Sequence, residues 1–145
     1  MSEVLYIDGR GLRLGRAASK IAKHLMAGNK VILVNVEKVA VSGDRESVMS
    51  EYERWMSIRT LKNPEDVGMK QHRSPDRLFH NAVKNMLPKT PTGKAALKRL
   101  KVFIGVPGEF SNAKLQTIEE VHIKNLRGPY MELGELSKSL GWSVQ

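Results

Sequence analysis

Two rhythms of apolar and polar positions share this chain. Val4–Ile7 is a continuous apolar run and predicts a strand at about residues 4–8. Beyond it, Ala17, Ala18, Ile21, Ala22 and Leu25 recur at helical spacing and Gly28 marks a stop, which predicts a helix over about 15–27. Residues 31–36 are apolar apart from Asn35, as suits a strand buried on both faces of a parallel sheet. "KVAVSG" suggests a short third strand near 39–41. Val48, Met49, Tyr52, Trp55 and Met56 then predict a helix over about 44–59 that places those side chains in the core. A loop over about 60–73 leads to Ser74, a capping residue type, and Pro75, at home in a first helical position. They open a helix that Pro88 ends, with Leu78, Phe79, Ala82, Val83 and Met86 inward. "KTPTGKAALKRLKVFIGVPG" reads as a turn, a helix over about 92–101 and a strand over about 101–106. The last 40 or so residues are ambiguous, apart from a short helix near the end. Strands alternating with helices predict one α/β domain over residues 1–145, with α/β/α layers around a small, mostly parallel sheet.

Composition narrows the class. The longest apolar runs, "VLYI" and "VILV", hold four residues, whereas a membrane-spanning helix needs about 20. The N-terminus lacks the apolar core of a signal peptide. With no cysteine there is no disulfide, thiolate nucleophile or cysteine-based zinc site. A soluble cytoplasmic protein is expected. Net charge changes the picture most: the chain carries +9, and two segments hold it. Residues 69–101 have nine Lys or Arg against one acid, Asp76, and residues 9–30 have six against none. The remainder is mildly acidic. Such a concentration of charge predisposes a protein to polyanions.

One motif points elsewhere. Gly9, Gly11 and Gly15 lie between a predicted strand and a predicted helix, and Glu37 ends the next apolar stretch. That order resembles a dinucleotide-binding turn. The spacing is one residue longer than the common fingerprint, and Arg10, Arg13 and Arg16 crowd a loop that should expose bare amides. The chain also leaves little room for a substrate domain. No nucleotide site, cofactor or small-molecule substrate is therefore expected. The four histidines, His24, His72, His80 and His122, form no metal-binding motif, and no nucleophile elbow is present. The chain reads as a non-enzyme without a metal.

The cationic faces fit RNA. Arg10 and Arg13 lie in the glycine loop, and Arg16, Lys20 and Lys23 lie opposite the apolar stripe of the first helix. In the second segment the candidates are Arg73, Arg77, Lys84, Lys89, Lys94, Lys98 and Arg99. Lys94, Lys98 and Lys101 would line one face of the helix over 92–101, where like charges repel unless a partner neutralises them. His80, at the edge of the apolar stripe, is expected to hydrogen-bond or face RNA. Aromatic residues are few, at 6%, and none but the inward Phe79 lies among these cations. Recognition of folded RNA by shape and backbone therefore fits better than base stacking.

Two stretches, "LGRAASKIAKHLMAGNKVILVNVEKVAVSG" and "RSPDRLFHNAVKNMLPKTPTGKAALKRLKVFIGVP", resemble the thirteenth family (L13) of universal large-subunit ribosomal proteins. The resemblance runs from about Val4 to Trp142. It is most specific at Leu14–Ala18, at Asn35–Glu37 with Ser42–Gly43, and at Met86–Pro88 followed by Gly93, Ala96, Arg99 and Leu100. It implies an α/β/α fold around a four-stranded parallel sheet, binding to large-subunit rRNA beside neighbouring ribosomal proteins, and no enzymatic activity. Asn85 replaces a glycine expected before "MLP". "VPGEFSNAKLQ" is similar to the archaeal and eukaryotic branch, and the chain length suggests the archaeal form.

Overall fold

The computed structural model of the chain describes residues 2–63 and 72–143. Its centre is a three-stranded parallel sheet of β1 (Val4–Asp8), β2 (Lys30–Val34) and β4 (Leu100–Val102), in the order β1-β2-β4. β1 meets β2 with Val4 opposite Lys30, and β2 meets β4 with Val31 opposite Leu100. Outside β1, Gln116 adds a one-residue fourth position: its N–H donates to the Tyr6 carbonyl at 2.8 Å, and Asp8 N–H donates to its carbonyl at 2.9 Å. This one-residue bridge is what stands in the place of a fourth strand.

The strand expected near residues 39–41 is β3 (Ala40–Ser42), but it pairs antiparallel with β5 (Tyr130–Glu132) in a separate two-stranded sheet. β2 stops short of residue 36 because Asn35 takes a left-handed conformation, φ 55°, and turns the chain into a 3-10 turn at residues 36–38.

Helices α1 (Leu14–Met26), α3 (Pro75–Met86) and α4 (Pro91–Lys98) cover one sheet face. α1 buries Ala17, Ala18, Ile21, Ala22 and Leu25, the stripe its sequence predicts. It ends in a Schellman motif: Gly28 sits at φ +97°, its N–H bonds the Leu25 carbonyl, and Asn29 N–H bonds the His24 carbonyl. From α3, Phe79 and Val83 enter the same core as Ile7, Val31, Leu33 and Leu100. Strand alternation places Tyr6, Ile32 and Phe103 on the opposite face, where Ile32 is buried. Phe110 packs there, 5.7 Å from Tyr6 and 5.4 Å from Phe103 between ring centroids. This third layer is a 3-10 turn at residues 108–110 and its flanking loops, without a long helix.

Three expectations need correction. α2 (Arg45–Ser57) buries only Val48; Met49, Tyr52 and Met56 are half-buried, and Trp55 is 36% exposed, its ring tilted against that of Tyr52. Helical spacing marked an apolar stripe there, but among the described residues only the part around Val48 meets the core. Met86, assigned inward on α3, is 46% exposed in the last turn. α4 ends at Lys98, so Lys101 stands on β4 and does not extend a lysine row along the helix. The C-terminal region folds as two 3-10 turns (residues 119–121 and 123–125), β5 and α5 (Leu133–Ser139). Among the described residues, no helix is long and apolar enough to cross a membrane.

Candidate nucleic-acid interface

The glycine loop joins β1 to α1, as its sequence predicts, but the amides of residues 9–13 are spent within the protein. Gly9 N–H donates to Val34 O (2.8 Å), Gly11 to Lys38 O (3.2 Å), Leu12 to Gly9 O (3.2 Å) and Arg13 to Val121 O (3.0 Å). Arg10 N–H donates to Asp8 Oδ1 at 3.1 Å. A pyrophosphate cradle needs several such donors pointing at the ligand, and five consecutive ones are engaged. The imidazole of His122 also lies directly over Gly11, where an added Cβ would come within 2.6 Å of Nε2. The segment 119–125 therefore occupies the space above the loop.

The cations of this region have mixed company. Asp8, 6% exposed, receives Arg10 Nε at 2.8 Å and Asn35 Nδ2 at 3.1 Å. Burial alone would raise the Asp8 pKa; the hydrogen bonds from Arg10 and Asn35 outweigh it and hold the carboxyl below its usual value. Arg10 was expected to lack an acidic partner within its segment, yet Asp8, one residue outside it, pairs with it at 2.7 Å. Arg13 is half-buried and donates to the carbonyls of Val121 (3.4 Å) and Glu120 (3.3 Å). Lys20 pairs with Glu120 at 2.6 Å across exposed surface. Arg16 and Lys23 are exposed, and Arg16 lines a hollow of about 270 Å³ with Arg13, Ser42 and Leu126.

The second basic segment is different. Arg73, Arg77, Lys84, Lys89, Lys94 and Lys98 are all exposed. The ion pairs among the described residues are Arg10–Asp8 and Lys20–Glu120, so none of these six meets a described carboxylate. Arg99 is the exception: half-buried, it donates from Nη2 to the Leu25 carbonyl at 2.7 Å and so steadies the C-terminal turn of α1.

Two adjoining hollows take in four of the six, Arg77, Lys84, Lys89 and Lys94. One, about 440 Å³, runs along α3 past His72, Asp76, Arg77, His80, Asn81 and Lys84, and is floored by Leu97 of α4 and Val102 of β4. The other, about 360 Å³, lies between the end of α3 and α4 and takes in Lys84, Asn85, Lys89 and Lys94. Lys84 and Leu97 border both. α4 is held by Pro91 in its first turn and by Thr90, whose hydroxyl accepts from Gly93 N–H at 3.4 Å. Ser74 occupies the N-cap position of α3 but makes no capping bond through its side chain. His72 joins the groove from the loop before α3, a placement that helical periodicity does not reach. Burial and the Lys84 charge depress the His80 pKa.

The family model described as "Ribosomal protein L13" matches residues 2–109. Relatives named "Large ribosomal subunit protein uL13" include one from Sulfurisphaera tokodaii, 41% identical over 97% of both chains. A relative from Methanosphaera stadtmanae is 38% identical over 95% of this chain and 97% of its own. A third, from Tetrahymena thermophila, is 40% identical over 99% of this chain and 74% of its own length.

Proposed function

The chain belongs to the ribosomal protein L13 family, and on that premise we propose that it is a structural constituent of the large ribosomal subunit, held there by rRNA and by neighbouring subunit proteins. The observation that carries the RNA reading is the pair of hollows along α3 and α4. Four of their cations, Arg77, Lys84, Lys89 and Lys94, face solvent with no carboxylate of the described residues paired to them. Unpaired cations on a folded surface repel one another, and a phosphate backbone neutralises them while releasing its counterions. Arg73 and Lys98 lie exposed on the same two-helix region. Arg16 and Lys23 extend the contact along α1, and Arg10, Arg13 and Lys20 contribute through whatever their internal bonds leave available. Arg99 serves mainly by anchoring α1 to α4.

The glycine loop supports a reading without a nucleotide: the amides of residues 9–13 are engaged within the protein. The test is co-sedimentation of the purified protein with salt-washed large subunits and binding to transcribed large-subunit rRNA. Both are expected at low salt and lost at high salt. A protein that binds other RNAs but leaves subunits alone would be a free-standing regulator built on the same domain. Saturable micromolar binding of NAD(P) or ATP would overturn the reading of the glycine loop.

A further inference from the structure

The groove along α3 contains two histidines that a simple cationic grip does not require. His72 and His80 line it together with Asp76, Arg77, Asn81 and Lys84. We propose that this groove is a proton-linked phosphate site: it takes phosphodiester groups of the RNA backbone, and His80 takes up a proton when the RNA binds. This inference rests on the RNA-binding reading above.

The argument starts from what surrounds the imidazole. His80 is half-buried on the α3 face that borders the groove. Burial and the charges of Lys84 and His72 disfavour its protonated form, and Asp76 opposes them without prevailing. α4 and β4 present the apolar Leu97 and Val102 to the groove. α1, α5 and the turn at residues 36–38 also pack against α3, and none of their charged groups is among those acting on His80. The free groove thus holds His80 neutral close to physiological pH.

A phosphate reverses that balance. Its negative charge offsets Lys84, and a protonated imidazole offers an N–H to a phosphate oxygen as a charge-assisted bond. Arg77 supplies a fork of donors and Asn81 an amide, so one or two phosphates have polar partners on several sides. Since the bound state holds more protons than the free state, affinity must rise as pH falls.

Two measurements on the full chain decide the matter, with transcribed large-subunit rRNA as the probe. The first is the dissociation constant at constant salt between about pH 5.5 and 7.5. Each proton taken up gives the logarithm of the association constant a limiting slope of about −1 per pH unit. The wild type should bind several-fold more tightly at the acid end, and H80Q should lose that gain. The second is binding calorimetry of the unmodified protein in two buffers of different ionisation enthalpy, which counts protons without any substitution. Proton uptake near neutrality supports the proposal even where a variant folds poorly. Zero uptake overturns it, as does a pH dependence that persists in H80Q. Wild-type protein that binds no rRNA at any pH would overturn the RNA reading itself, and this inference with it.

Discussion

Asp8 shows how one buried carboxylate organises its neighbours. It accepts from Arg10 through both side chain and backbone, and from Asn35, the left-handed residue that ends β2. The folded pKa lies below the ordinary 3.8. Its contribution to stability is therefore complete above that value and is lost as pH falls through the lower folded one. D8N should lower stability near neutrality by about 1–3 kcal/mol and flatten the acid limb, measured by denaturant melts from pH 7 to pH 2. Gly93 is sterically fixed: a Cβ there would fall on the Pro88 carbonyl, backbone that cannot easily yield. G93A should cost about 1–3 kcal/mol as an overpacked contact, read as a lower thermal midpoint. A fully tolerated alanine would mean that the turn from α3 to α4 relaxes freely.

At the level of elements, the chain binds its own C-terminal region to the glycine loop. Arg13 N–H bonds Val121, Ile123 N–H bonds Gly11 (2.8 Å), and the Arg13 side chain reaches the Glu120 and Val121 carbonyls. R13Q should leave the sheet intact but speed amide exchange at Ile123 and at Arg13 itself, seen by mass spectrometry or NMR. On α4, Lys94 and Lys98 lie four residues apart, both exposed and both without a described acidic partner. K94Q/K98Q should leave the free protein equally stable or better by a few tenths of a kcal/mol, because like charges at that spacing repel. Its binding to rRNA should weaken. A marked loss of stability would show instead that the lysine stems pack against the fold.

For the whole molecule, the +9 charge is unevenly spent. In the glycine loop and α1, some cations pair internally; along α3 and α4 they face outward. If about six of the outward cations touch phosphate, log K should fall against log salt with a slope of roughly −4 to −5. K94Q/K98Q should reduce its size by roughly 1.5. A salt titration of rRNA binding by wild type and variant checks both. A slope near zero would leave the charge as ordinary solvated surface.

The alternation of apolar runs and helical stripes determined most of the elements, because it reports which side chains each element must bury. α1 with its glycine stop, the twice-buried β2 and the bounded α3 were all legible, since their signals lie within a few residues. The two basic segments were equally plain in composition. Pairing across long separations was not legible. β3 joins β5, some 90 residues away, and Gln116 takes the sheet edge beside β1; nothing local to either segment records its partner. The same limit governs the cations. Arg10, Lys20 and Arg99 look like Arg77 and Lys84 in the sequence, but whether a charge faces solvent or meets Asp8, Glu120 or the end of α1 depends on what the fold brings within hydrogen-bond reach.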